Sequence, residues 1–72
     1  MIIMYTKYKD GIWRYSTYTL RSKDAEIKYA KEVCQMFNHF LQKGNILGYS
    51  VSVAHKDENG KQQSELIGNN ET

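Results

Sequence analysis

Proline is missing from this chain, cysteine occurs once, and no apolar run exceeds a few residues. Each absence removes a class of protein. Without proline there are no polyproline linkers or proline-set turns, and neither repeats nor low-complexity tracts divide the chain. A single thiol, Cys34, permits no intrachain disulfide and offers a zinc ion no second sulfur. This points to a reducing, cytoplasmic setting. The apolar start Met1-Ile2-Ile3-Met4 gives way at once to Tyr5, Thr6 and Lys7. It is shorter than the roughly 7 to 15 residues of a signal-peptide core or the roughly 20 of a membrane span, so the expectation is a soluble protein with no membrane partner. HExxH, CxxC, a glycine-rich phosphate loop and an EF-hand series are all absent.

What is present is a short chain rich in tyrosine, with six among 72 residues, and carrying a formal charge of only +2. At this length one small core is available, burying about 60% of the surface of the unfolded chain. The charge is uneven. Lys7, Lys9, Arg14, Arg21, Lys23, Lys28 and Lys31 fall in the first 31 residues, whereas Asp57, Glu58, Glu65 and Glu71 face only Lys61 near the other end. An asymmetry of this size reads either as a solvated surface or as a basic face for nucleic acid or an acidic protein.

Ser22 to Lys43 is the one long amphipathic segment. At 3.6 residues per turn Ile27, Ala30, Val33, Cys34, Phe37, Phe40 and Leu41 share a face, with Lys28, Lys31, Glu32, Gln35, Asn38, His39 and Gln42 opposite. Ser22 is placed to cap the helix, Asp24 and Glu26 suit its positive end, and Asp24 and Lys28 are spaced for an i, i+4 ion pair. Gly44-Asn45 stops it.

Two hairpins flank this helix. Ile2–Lys9 and Ile12–Leu20 are rich in β-formers and are joined by Asp10-Gly11, a two-residue type I′ turn signal. That loop pairs Lys7 with Arg14, Thr6 with Tyr15 and Tyr5 with Ser16. It sets Ile2, Met4, Thr6, Tyr8, Trp13, Tyr15 and Thr17 on one face, and Ile3, Tyr5, Lys7, Lys9, Ile12, Arg14, Tyr18 and Leu20 on the other. The Trp13 face is the one expected against the helix, because the alternative gathers Lys7, Lys9 and Arg14 where burial is costly. In the competing reading Ile3, Tyr18 and Leu20 pack under the helix. After the helix, Tyr49–His55 alternates cleanly, and Asn59-Gly60 again signals a two-residue turn, pairing Val53 with Leu66 ahead of an edge strand over 61–67. The predicted fold is therefore α+β, ββαββ, a four-stranded antiparallel sheet of order 2-1-3-4 with one helix on one face. Residues 1–67 form a single domain and 68–72 a flexible tail.

Catalysis requires convergent titratable groups, and none converge here. His39 lies on the polar helix face and His55 near a strand end beside Asp57, while Cys34 lies on the apolar face where a thiol acts as a small hydrophobe. No enzyme activity, metal or cofactor is expected. The residues left to carry function are Tyr5, Lys7, Lys9, Ile12, Arg14 and Tyr18, an aromatic and basic outer face of the first hairpin. Such a face suits a protein partner, and also bases and phosphates.

Two resemblances bear on that choice. Lys9-Asp10-Gly11-Ile12-Trp13-Arg14-Tyr15, followed by Lys23-Asp24-Ala25-Glu26, resembles the sheet-reading DNA-binding domains of some phage and transposon integrases. Those domains set a third strand before the helix and this chain does not, so none of their functional residues carries over. In size and make-up, as a proline-free, tyrosine-rich domain without a catalytic constellation, the chain resembles small phage-encoded inhibitors of host defence of anti-CRISPR, antirestriction or antitoxin type. That resemblance implies a stoichiometric inhibitor masking a host protein or protein–nucleic-acid complex. The alternative is a nucleic-acid-binding module, and homodimerisation is compatible with either.

Overall fold

A computed structural model describes all residues, Met1 to Thr72. Its elements are β1 (Ile2–Lys7), β2 (Trp13–Tyr18), α1 (Lys23–Gln42), β3 (Gly48–Lys56) and β4 (Gln62–Glu71). The sheet is antiparallel throughout with order β2-β1-β3-β4, so the fold is the ββαββ α+β arrangement that the sequence predicts.

The helix begins and ends where its chemistry says it should. Ser22 is in an extended conformation and its hydroxyl accepts the Ala25 N–H at 3.1 Å, satisfying a donor that the first turn leaves free. Ala30, Val33 and Cys34 are buried, with Ile27, Phe37, Phe40 and Leu41 packed around them. They meet Ile2, Ile46, Tyr49, Val51 and Val53, which complete the core. Asp24 and Lys28 do not close the expected ion pair; the three ion pairs lie elsewhere. Glu26, expected to serve the helix dipole, is instead a buried anchor, 4% exposed. Its Oε1 accepts from the Met1 ammonium at 2.7 Å and its Oε2 from the Leu20 N–H at 3.0 Å, so β1 and the β2–α1 link are fastened to the helix by one carboxylate.

Both hairpins depart from the expected register by one residue, for the same reason. In the first, Tyr8 N–H donates to the Ile12 carbonyl and Gly11 N–H to the Tyr8 carbonyl, which encloses three residues, Lys9, Asp10 and Gly11. In the second, Asp57 and Lys61 close a loop of Glu58, Asn59 and Gly60 in the same way. Each loop ends in a glycine at positive φ, +81° at Gly11 and +77° at Gly60, the left-handed position of a three-residue hairpin loop. The carboxylates of Asp10 and Asp57 hold the loops by accepting the N–H groups of Ile12 and of Asn59 and Lys61.

One extra loop residue turns a strand over. Ile2, Met4 and Thr6 face the helix as expected, but Trp13, Tyr15 and Thr17 do not. They pair with Lys7, Tyr5 and Ile3 on the face away from the helix, and Arg14, Ser16 and Tyr18 take the helix side. The competing reading is half right: Leu20 packs on the core and Tyr18 lies on the helix side, but Ile3 does not. In β4 the slip runs only from Gln62 to Leu66, after which a bulge opposite Val51 and Ser52 shifts the register. Residues 68–71, expected as a flexible tail, continue β4 alongside β3, and the Thr72 N–H donates to the Leu47 carbonyl.

The helix lies over β3 and β4, touches β1 and leaves the backbone of β2 uncovered. The molecule is accordingly long and flat, 41 × 20 × 15 Å, with a radius of gyration of 12.9 Å, against about 11 Å for a compact chain of this length.

Candidate binding surface

The sheet face away from the helix is built from rows of side chains that run across the strands in the order β2, β1, β3, β4. One row is Trp13, Lys7, Gly48 and Glu71; the next is Tyr15, Tyr5, Ser50 and Asn69; the third is Thr17, Ile3, Ser52 and Leu66. Its β1–β2 half is therefore aromatic and its β3 stretch is small and polar. Tyr5 and Tyr15 pair at 5.6 Å between ring centroids, within the range in which aromatic rings attract. Trp13 reaches across Lys7 to Gly48: a methyl group on that glycine would stand 3.2 Å from the indole Cη2 and 3.1 Å from Glu71 Cγ. The missing side chain lets Trp13 lie down on the sheet, and lets Lys7 reach Glu71 at 3.1 Å.

The opposite face of the hairpin is aromatic too. Tyr18 stacks on Tyr29 of the helix at 5.6 Å, and the Arg14 guanidinium lies 4.8 Å from the centre of the Tyr8 ring while its NH2 nitrogen donates to Asp10 at 2.9 Å. Tyr5, Tyr8, Trp13, Tyr15, Tyr18 and Tyr29 all remain substantially exposed, Tyr15 the most at 67%.

The six residues expected to form one face are thus divided. Tyr5 and Lys7 lie on the open face, Arg14 and Tyr18 on the helix side, and Lys9 and Ile12 at the hairpin tip. Trp13 and Tyr15, which the two-residue loop sends to the core, are the main aromatic groups of the open face. The clue in the sequence is parity: a three-residue loop sets Tyr5 opposite Tyr15 and leaves Ile2, Met4 and Thr6 with Tyr18 on the other side.

Electrostatically the surface is quieter than the sequence implies. Lys7 and Arg14 are each paired with a carboxylate, which leaves Lys9 as the unpaired cation of the hairpin. The Ile12 N–H and then Arg14 hold Asp10 below the usual carboxylate range, and the Lys61 N–H, followed by Gln63, does the same for Asp57. Inside, burial raises the Cys34 thiol. Burial and the neighbouring Cys34 raise the Tyr49 phenol against the opposing effect of its 2.6 Å bond to Asn38 Oδ1. These shifts belong to packing. A shallow cleft of about 400 Å³ lies between Asn38, Leu41 and Gln42 of the helix and Asn70 and Thr72 of β4, with no titratable side chain among its walls. No group of three or more His, Cys, Asp and Glu side chains is placed to hold a metal ion, and no helix is long and apolar enough to cross a membrane. No protein family, curated protein or solved structure matches this chain.

Proposed function

We propose that this is a non-catalytic, cytoplasmic binding protein that acts by covering a surface of a protein partner, in the manner of the phage-encoded inhibitors of host defence that it resembles in size and make-up. The observation that carries this reading is the display of aromatic rings on the first hairpin, with Tyr5, Trp13 and Tyr15 side by side on the open face. Tyrosine and tryptophan are the residue types that bring large contact area at low entropic cost, and they dominate the energetics of protein interfaces. Here they are left in water by a chain with few apolar side chains to spare.

The pairing of Lys7 with Glu71 and of Arg14 with Asp10 favours a protein partner over nucleic acid, since a phosphate-binding face keeps its cations free for the backbone. Titration of mixed DNA and RNA at low salt separates the two readings. The proposal expects no binding, and a steeply salt-dependent affinity abolished by joint Lys7→Ala, Lys9→Ala and Arg14→Ala substitution refutes it. Affinity capture from host lysate then expects one partner whose retention is lost in the Tyr5→Ala, Trp13→Ala and Tyr15→Ala variants.

A further inference from the structure

The sheet has two edges, and they are treated differently. The β4 edge is protected: it carries a bulge, Gly68, Glu65, Glu71 and mostly polar side chains. The β2 edge has fewer of these devices: no bulge, no glycine, and Arg14 as its one charge. In Trp13–Tyr18 the aromatic Trp13, Tyr15 and Tyr18 and the β-branched Thr17 are interrupted only by Arg14 and Ser16, every one is exposed, and the helix does not extend over the strand. The Tyr8–Ile12 bond turns the backbone groups of even-numbered β2 residues inward to β1, so by antiparallel alternation the N–H and C=O groups of Trp13, Tyr15 and Thr17 point out of the sheet.

We infer that β2 pairs antiparallel with β2 of a second copy of this chain, about a two-fold axis at Tyr15, to make a continuous eight-stranded sheet. Strand complementarity argues for a second copy in this register. Tyr15 lies opposite its own equivalent, which extends the Tyr5–Tyr15 pair into a row of four tyrosines across four strands. Trp13 faces Thr17 of the other copy and Arg14 faces Ser16, combining aromatic with β-branched partners and setting no like charges opposite one another between Trp13 and Thr17. The one charge of the strand, Arg14, is already neutralised by Asp10 of its own hairpin. About six backbone hydrogen bonds form, and both faces of the sheet stay free. Self-pairing therefore stands whether or not the open face binds the proposed partner.

Sedimentation of the full chain reads this directly. The expected species has twice the 8.4 kDa chain mass, whereas an 8.4 kDa species persisting to several hundred micromolar overturns the inference. Tyr15→Lys and Tyr15→Glu each place like charges across the axis and are expected to weaken the dimer by at least about tenfold. An equimolar mixture of the two restores it, because position 15 meets itself. A mixture that stays monomeric contradicts this register. Thr17→Pro removes an outward N–H and no bond to β1, and is expected to give a folded monomer. Ser64→Pro, its counterpart on the β4 edge, leaves the dimer intact, and loss of the dimer in that variant instead assigns the pairing to the wrong edge.

Discussion

Glu26 shows how much one residue holds in a chain with so small a core. Burial alone would raise its pKa, but the hydrogen bonds from the Met1 ammonium and the Leu20 N–H, with the electrostatic effect of the nearby ammonium and His55, outweigh it and leave the pKa lowered. A group with a depressed folded-state pKa contributes stability that is complete above its unfolded value, about 4.3 for glutamate, and is lost as pH falls through the folded value. Glu26→Gln should therefore destabilise the fold at neutral pH by about 2 kcal/mol and flatten the acid limb of the stability profile, as read by urea melts between neutral pH and pH 3. Cys34 and Gly68 form a second dependent pair. An alanine methyl at position 68 would stand 2.9 Å from the Cys34 sulfur, so Gly68→Ala should cost about 1 to 3 kcal/mol. In a Cys34→Ala background most of that cost should vanish, giving a double-mutant coupling of about 1 kcal/mol or more. Additive effects would mean that the two do not touch.

The elements themselves were legible in the sequence wherever one local signal decides them. Ser22 and Gly44 bracket the helix, Ile27 to Leu41 give its inner face, and Tyr49, Val51 and Val53 give the inner side of β3. Strand register was not legible, because Asp10-Gly11 and Asn59-Gly60 serve equally as a two-residue turn and as the last two residues of a three-residue loop ending in a left-handed glycine. The choice changes parity, so it moves Trp13 and Tyr15 together from one side of the sheet to the other without altering strand order. Half of the candidate surface, Tyr5 and Lys7, was visible from the sequence and the other half was hidden by that single residue. The burial of Glu26 had no signal either, since its partners lie at Met1 and across the β2–α1 link. Nuclear Overhauser contacts settle the register: Tyr5 with Tyr15 and Trp13 with Gly48 are expected, whereas Tyr8 with Trp13 and Thr6 with Tyr15 would restore the two-residue loop. Gly11→Ala, at φ +81° with open space around it, should cost about 1 kcal/mol through backbone strain alone.

At the scale of the molecule, one helix serves a four-stranded sheet and covers only part of it. The core sits between α1 and the inner faces of β1 and β3, while the outer strand β2 carries aromatic rings on both of its faces and an edge that the helix leaves uncovered. A chain that buries 12 of its 72 residues yet leaves five of its six tyrosines and its tryptophan in solvent has placed its largest side chains where a partner can use them. The binding proposal rests on that distribution. Its most direct test is capture of a protein partner by the wild-type chain and by a Tyr5→Ala/Tyr15→Ala double variant whose fold is verified by circular dichroism. The account predicts that the double variant keeps its helix and sheet and loses at least about tenfold in affinity. Undiminished capture by that folded variant would contradict it.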